Sequence, residues 1–471
     1  MGVAEFTPWQ WLGLVQHELL LFAGVFFLIG SLDELAVDLA WLWLRVTGRA
    51  GDRVLPPRMA PGDDRLSGVA AVLVPAWRED AVIGATVSHA LKVWPQDELR
   101  IYVGCYRNDT ATMAAVVAAA RADPRVRLVV HDTDGPTTKA DCLNRLYYAL
   151  CGDEQRHDWR AHMVVLHDAE DMVDPAGLSL LDRALCEADL AQLPVLPLPQ
   201  ASSPWIGSHY CEEFAEAHGK AMVVRNALGA GLPLAGVGCA IARDRLDQLA
   251  HEKPDEQPFA SDCLTEDYEL GLGVSEQGGK ARFLRYRHSD GRLVATRAYF
   301  PARLDQAVRQ KTRWVHGIAF QAWDRLGWRG RPADLWMRLR DRRGPFSAFV
   351  LAVAYALLVL STLAWGLAAL GFGEPIRISD TLRAVLMLNF ASFAWRACWR
   401  FGFTAREYGW SEGLRALVRI PVTNIIAIMA GRRALAAYLG TLRGPSPVWD
   451  KTEHHAHPAG HNTPTASVSP A

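Results

Sequence analysis

The stretch Met163-Val-Val-Leu-His-Asp-Ala-Glu-Asp171 carries the fold and its chemistry together. It opens as an apolar, β-favouring run and ends in three carboxylates, Asp168, Glu170 and Asp171. A buried strand that finishes in an acidic turn suits a parallel sheet, whose ligands gather where the strands end. Alternation along extended backbone sets Asp168 and Glu170 on the same side. Two carboxylates so placed, with water and diphosphate oxygens, complete the octahedral oxygen shell that Mg²⁺ or Mn²⁺ requires. The competing reading is a solvated acidic turn capping the helix expected from Pro175 onward.

Outward from that strand the pattern repeats. Val69–Val74, Arg100–Cys105 and Val126–His131 are further short β-rich runs. Stretches of helical length follow at Ala81–Val93, Thr110–Ala122, Lys139–Cys151 and, after the acidic turn, Pro175–Leu190. Strand then helix, repeated, predicts an α/β domain with a mostly parallel sheet and helices on both faces. The ligand-binding segments are then Pro75–Asp80, Tyr106–Thr110, Asp132–Lys139 and Asp168–Asp174. No strand leads into GxGxxG, so a dinucleotide-dependent oxidoreductase is a poor match.

Two further clusters carry chemistry. Leu264-Thr-Glu-Asp-Tyr-Glu269 offers carboxylates to take a proton from an attacking hydroxyl. The same residues fit a helix N-terminus capped by Thr265. In Gln310-Lys-Thr-Arg-Trp314, residues Gln310, Arg313 and Trp314 fall at i, i+3 and i+4, on one helix face. Arg313 there suits a diphosphate and Trp314 a sugar face. A membrane-surface helix with a snorkelling Arg is the alternative.

The chain of 471 residues has a mean hydropathy of +0.02, an average over a mixed middle and strongly apolar ends. A net charge of −1 predicts no nucleic-acid partner. Eight scattered Cys without a CxxC pair fit reduced thiols, not a disulfide frame or a zinc site. The first apolar run lacks a basic n-region and a small-residue cleavage site, so it reads as an anchor and not a secretory signal. Trp11–Gly30 predicts a span that runs on as an amphipathic interfacial stretch to Leu44. Ser347–Phe372 and Thr381–Cys398 predict a helical hairpin, and Ile420–Ala430, at about eleven residues, an interfacial or re-entrant segment. Arg45, Arg49, Arg53 and Arg58 follow the first span, Arg338, Arg340, Arg342 and Arg343 precede the second, and Arg396, Arg400 and Arg406 follow the third. By the positive-inside rule residues 50–345 face the cytosol, at the bacterial inner membrane. The expected division is therefore an N-terminal membrane and interfacial helix (1–48), a cytosolic α/β domain (49–345), a membrane hairpin (346–400), interfacial or re-entrant helices (401–444) and a disordered tail (445–471). The tail's His454, His455, His457 and His461 read as solvated and not as a metal site.

Taken together, the motifs resemble those of membrane-anchored family 2 glycosyltransferases with the GT-A fold, a Rossmann-like sheet. That family's DxD, TED and QxxRW signatures correspond to Asp168-Ala169-Glu170, Thr265-Glu266-Asp267 and Gln310–Trp314. The wording is similar in particular to the glycosyltransferase region of the bacteriophage N4 adsorption protein B group. The similar stretches include Val74-Pro-Ala-Trp-Arg-Glu79, Gly135–Asn144, Glu213-Phe-Ala-Glu216, Ala235–Cys239 and Trp449-Asp-Lys-Thr452. The resemblance implies that Pro75, Trp77, Glu79 and Lys139 hold the nucleotide, with Asn144 matching a later family asparagine. It gives Asp168 and Glu170 the metal and diphosphate, and Asp267 the role of general base with Glu266 beside it. Gln310, Arg313 and Trp314 would close over donor and acceptor, with Gly236, Gly238 and Cys239 at the acceptor end.

The implied partners are a nucleotide-sugar donor (a UDP-sugar), a growing glycan or lipid-linked acceptor, a lipid bilayer and a partner for export through the envelope. The implied reaction inverts the anomeric carbon and serves exopolysaccharide or envelope synthesis. Two departures stand out. The second DxD carboxylate is Glu170, and Tyr106-Arg-Asn-Asp109 replaces the family's Asp-Asp-Gly-Ser, leaving Asp109 as the nucleotide partner there. Longer members of the group resemble two-part proteins with a regulatory C-terminal domain, and that regulation is not carried over. Three rivals remain: single-sugar transfer to a lipid phosphate, a non-catalytic membrane scaffold or phage-adsorption component with a degenerate transferase domain, and a nucleotidyltransferase.

Overall fold

A computed structural model describes residues 7–56, 65–372, 378–444 and 457–460. Its centre is a seven-stranded sheet built from β1 (Val69–Pro75), β2 (Leu99–Tyr106), β3 (Val126–His131), β4 (Ala161–Leu166), β5 (Leu190–Gln192), β6 (Cys239–Ala242) and β7 (Ala281–Phe283). The strand order is β3-β2-β1-β4-β6-β5-β7. All neighbours are parallel except β6, which runs antiparallel to β4 and β5. The fold class expected from the sequence is the one observed.

Alternation along β1 explains why the sheet needs cover on both sides. Ala70, Val72 and Val74 face one core with Ile83, Val87, Val116 and Leu181, while Ala71 and Leu73 face another with Leu143, Leu146, Leu246 and Leu270. Strands buried on both faces read as continuous apolar runs, which is how β1, β2 and β4 were legible, while β3 at the sheet edge is only partly buried. The helix after Lys139 extends to His157. The helix expected over Pro175–Leu190 is shorter, Gly177–Leu185, because Leu190–Gln192 is drawn into the sheet between β6 and β7.

Four long helices surround one side of this domain: Pro8–Val46, Gly344–Ala369, Asp380–Tyr408 and Ile420–Thr441. Among the described residues, Trp9–Val46, Gly344–Ala369 and Ile420–Thr441 are long and apolar enough to cross a membrane. The first helix runs unbroken for 39 residues. The sequence expectation is departed from at two points. Ile420 opens a helix of 22 residues, which runs through Arg432-Arg433 because both side chains point outward while Ile426, Ala430 and Ala434 form a buried stripe. Asp380–Tyr408 stands outside that set of three, since Arg383, Asn389 and Arg396 lower its apolar character.

These helices are fastened to the sheet domain by buried charge. Lys220, in a π-helical turn at Ala217–Ala221, is 2 % exposed and bonds Asp38 of the first long helix and Glu216 at 2.7 Å. Trp395 Nε1 donates to Asp38 at 2.8 Å, and Arg396 lies 3.4 Å from the same carboxylate. Glu212 is held by Arg400 at 3.1 Å and Arg419 at 2.9 Å. Removing one partner strands the rest without water. A Lys220→Met variant should therefore lose about 3–5 kcal/mol of stability, read as a lowered melting temperature of the detergent-solubilised chain.

The expected disorder of the tail needs one correction. His457 is 3 % exposed and packed against the sheet domain, with a short 3-10 turn at Pro458–Gly460. Arg58, Trp449–Thr452, His454, His455 and His461 lie outside the described residues.

Candidate active site

The loops after β1, β2, β3 and β4 all emerge at the carboxyl end of the sheet, as its parallel order dictates. There a cavity of about 120 Å³ is lined by Lys139, Asp168, Glu170, Thr265, Glu266, Asp267, Gln310, Arg313 and Trp314, among others. The three sequence motifs, separated by up to 140 residues in the chain, thus converge on one space. A wider cleft of about 1200 Å³ opens on the far side of the helix Glu266–Glu276 and meets the first at Glu266. It holds neither the acidic turn nor the Gln310–Trp314 face, so the smaller cavity is the chemical one.

Asp168 Oδ1 lies 2.6 Å from Lys139 Nζ, and Glu266 is 3.7 Å from the same ammonium. Burial alone would lower the Lys139 pKa, yet Asp168, Glu266 and Asp267 around it hold it above the ordinary lysine value. Burial pushes Glu266 up to about 7 against the pull of Lys139. It also raises Asp267, again opposed by Lys139 and reinforced by Asp168. Thr265 stands at the N-cap position but makes no capping bond, and Asp267 Oδ1 accepts from the Tyr268 amide at 2.8 Å. Asp174, not Asp168 or Glu170, bonds the amide of Ala176 at the start of the next helix, at 3.0 Å. Asp168 and Glu170 thus cap no helix, and Asp267 gives one oxygen to a first-turn amide while keeping the other.

Asp171 departs from its neighbours. Its carboxylate is turned inward, 3 % exposed, bonded to His167 Nδ1 and to the Asp168 amide, each at 2.9 Å. It braces the turn, leaving Asp168 and Glu170 on the cavity. Among the described residues no set of three His, Cys, Asp or Glu side chains could hold an ion by itself. Two oxygen donors facing a cavity beside cationic groups fit a hard divalent ion that draws its remaining oxygens from a diphosphate and water.

On the opposite wall, the amphipathic helix Leu304–Val315 presents Gln310, Arg313 and Trp314 to the cavity. Gln310 Oε1 is buried with no hydrogen-bond partner. Arg313 is half-buried and, among the described residues, makes no hydrogen bond or ion pair. Its charge is felt by Glu266 and Asp267, and a guanidinium whose N–H groups are bonded to no carboxylate is set for an anionic ligand. Trp314 closes an aromatic cluster with Tyr210, Phe214 and Phe300, ring centroids 6.1, 6.3 and 6.5 Å away. The helix then widens into a π-turn at His316–Gln321, a form frequent at functional sites. There Gly317 packs so closely on Thr265 that a Cβ would overlap it. The helix that carries Gln310–Trp314 and the Glu266-Asp267 motif are therefore one packed unit.

Other predicted residues fare differently. Pro75 ends β1 at the cavity end of the sheet, while Trp77, Glu79 and Asp109 are buried on neighbouring loops. Asp109 uses both oxygens internally, accepting from Arg78 at 2.6 Å and Thr112 at 3.3 Å. It braces the loop around Trp77. Asn144 is turned away altogether, clamping Phe259 through its carbonyl and amide at 3.0 and 2.8 Å. Five residues beyond Lys139, it sits about 140° around the helix from it. Cys239 is fully buried in β6, and the loop leading into that strand shows Ala235 and Val237 to the cavity instead. Gly238 at φ +61° is pressed against Thr296. Gly236 has φ +74°, and a Cβ there would lie 2.6 Å from Asp267 Oδ2 and 3.4 Å from Lys139 Nζ. Gly236→Ala should displace the carboxylate and cut turnover about a hundred-fold with nucleotide binding kept, a split that steady-state kinetics with calorimetry would register. Sequence reasoning missed Phe300 and the Ser261–Cys263 lining altogether; neither carries a chemical signature in one dimension.

This convergence on a GT-A-like sheet defines a class. A model of the family described as glycosyltransferase like family 2 matches residues 68–317, over half of the chain, and the chain belongs to that family. Among curated relatives it is 31 % identical over 463 residues to the bacteriophage adsorption protein B of Escherichia coli (strain K12) and to the bacteriophage N4 adsorption protein B of Escherichia coli O157:H7. The match covers 92 % of this chain and 61 % of each relative, so the chain spans about three-fifths of their length. Among solved structures, the mannosyltransferase PcManGT from Pyrobaculum calidifontis, in complex with GDP-Man and Mn²⁺, aligns with a TM-score of 0.54 at 17 % identity. That alignment covers 87 % of this chain and 99 % of the other, a likeness of fold.

Proposed function

We propose that this chain is a membrane-anchored, inverting glycosyltransferase that moves a sugar from a nucleotide sugar, a UDP-sugar in our reading, to a glycan or lipid-linked acceptor. The observation that carries it is Arg313: a half-buried guanidinium with no hydrogen bond or ion pair among the described residues, lining the same cavity as Asp168 and Glu170. One wall supplies carboxylates for a divalent ion and the other a cation, which is how a diphosphate is gripped from two sides. Mg²⁺ or Mn²⁺, held by Asp168 and Glu170 with the diphosphate, would supply charge stabilisation as the nucleoside diphosphate leaves.

Asp267, beside Gly236, takes the proton of the attacking hydroxyl. Arg313 neutralises charge growing on the leaving group, and Trp314 with Phe214 and Phe300 walls the acceptor. One displacement by a hydroxyl with its base on one side and the leaving group on the other inverts the anomeric carbon. We further propose a cytosolic site at a bacterial inner membrane, on the strength of the arginines flanking the long apolar helices. The domain division 1–48, 49–345, 346–400, 401–444 and 445–471 belongs to the same proposal, with the acceptor delivered along the bilayer and the product passed to an export partner.

The test is hydrolysis and transfer in purified membranes across UDP-, GDP- and CMP-sugars with Mg²⁺ or Mn²⁺, wild type against Asp267→Asn. One donor consumed by the wild type alone supports the reading and names the sugar. No turnover of any donor by folded protein would favour a non-catalytic adsorption component or scaffold, in keeping with the names of the curated relatives.

A further inference from the structure

The turn that presents Asp168 and Glu170 is held by its carbonyls. Thr86 Oγ1 donates to Ala169, His89 Nε2 to Val173 at 2.9 Å, and Trp94 Nε1 to Asp174 at 3.0 Å. These three donors come from the helix Ile83–Val93 and the residue that follows it. The Asp171 carbonyl lies between them and is met by none of the three. Its partner is His457 Nε2, at 3.1 Å, from a segment 286 residues away in sequence.

The tautomer follows from the second ring nitrogen. The Ala459 amide donates to His457 Nδ1 at 3.0 Å, so Nδ1 is an acceptor and the ring proton sits on Nε2, aimed at the Asp171 carbonyl. The ring is 3 % exposed and its centroid lies 6.4 Å from that of His89. Asp171 is thereby pinned at both ends, its carbonyl by His457 and its carboxylate by His167 and the Asp168 amide. Two hydrogen bonds connect the tail imidazole to the backbone of Asp168.

We propose that His457 is a positioning residue for the donor site: the 457–460 segment, arriving from beyond the last long helix, completes the cradle of the Asp168–Asp174 turn and sets how tightly the site holds a metal-bound diphosphate. The proposal rests on the reading of Asp168 and Glu170 given above. Because His457 touches neither cavity nor carboxylate, its loss should loosen the turn and weaken binding without removing a chemical group.

The experiment uses the full chain in lipid nanodiscs, with UDP and Mn²⁺ as probes. His457→Ala should weaken Mn²⁺-dependent UDP binding about ten-fold, the scale of one lost hydrogen bond in a buried site. It should raise the donor KM in step and leave kcat little changed. His457→Gln, which can again offer an N–H, should recover most of the loss. Hydrogen exchange at the amides of 168–174 should quicken in His457→Ala and not in His457→Gln. Equal UDP affinity in His457→Ala and wild type, whatever the exchange rates, overturns the proposal. Should the wild type itself bind no UDP with Mn²⁺, the donor-site reading falls instead. The exchange rates then decide the clamp alone, quickened amides supporting it and unchanged amides overturning it.

Discussion

Transfer by the Asp267→Asn variant falls by about 10²–10⁴-fold, the range that a positioned general base contributes, while nucleotide affinity stays near that of the wild type. The change is close to isosteric. The side-chain oxygen that accepts from the Tyr268 amide at 2.8 Å survives it, so the loop keeps its shape. What is lost is the oxygen beside Gly236, the one that faces the cavity. Burial raises the Asp267 pKa, with Lys139 pulling the other way and Asp168 adding to the rise. A base works only when deprotonated, so activity should decline as pH falls through a value above the ordinary aspartate range. Product formation against pH, with calorimetric UDP titration alongside, checks both statements. Lost UDP binding in a normally folded Asp267→Asn protein would move this residue from base to donor contact.

Asp168→Ala removes the Mn²⁺-dependent part of UDP binding, a loss larger than the about 10–100-fold that outer partners of a metal cost. Two effects combine. The carboxylate proposed to hold the metal disappears from the cavity, and Lys139 loses its 2.6 Å partner, leaving Glu266 at 3.7 Å. The freed ammonium and Arg313 should sustain weak, metal-independent binding, so the residual affinity should no longer respond to EDTA. Equal UDP affinity of the wild type with and without Mn²⁺ would sink the claim.

How much of this was legible in one dimension follows from the physics of each part. Three of the first four strands, β1, β2 and β4, announced themselves because burial on both faces leaves little polar alternation to blur an apolar run, and β3, a partly buried edge strand, through its Val-rich composition. The last three did not: Leu190–Gln192, Cys239–Ala242 and Ala281–Phe283 are three or four residues long, too short to show any period. Asp168, Glu170, Asp267, Gln310, Arg313 and Trp314 could be named because charged groups at the end of an apolar run, or on one helical face, are costly without a use. Asp171, Asp109 and Asn144 have the same chemistry in sequence but point inward, and only tertiary contacts distinguish a bracing carboxylate from a binding one. The stretch from Ile420 was cut short because paired arginines look like an end; a buried stripe at every fourth residue carries the helix past them.

Lys220 and Glu212 have a consequence for the order in which the molecule is made. Glu212 is fully enclosed, and the guanidinium groups that neutralise it belong to Arg400 and Arg419, 188 and 207 residues downstream. Lys220 likewise waits for Trp395 and Arg396 to complete the shell around Asp38 and Glu216. While a ribosome is still adding the residues between, the sheet domain holds a carboxylate that must remain in water, because sealing it unpaired would cost several kcal/mol. The nascent domain is obliged to keep that flank open until the helices that carry Arg400 and Arg419 have been made. Folding of the sheet domain and docking of the long helices are thus a single event, and a sheet domain released from its helices would not be a smaller version of the same protein.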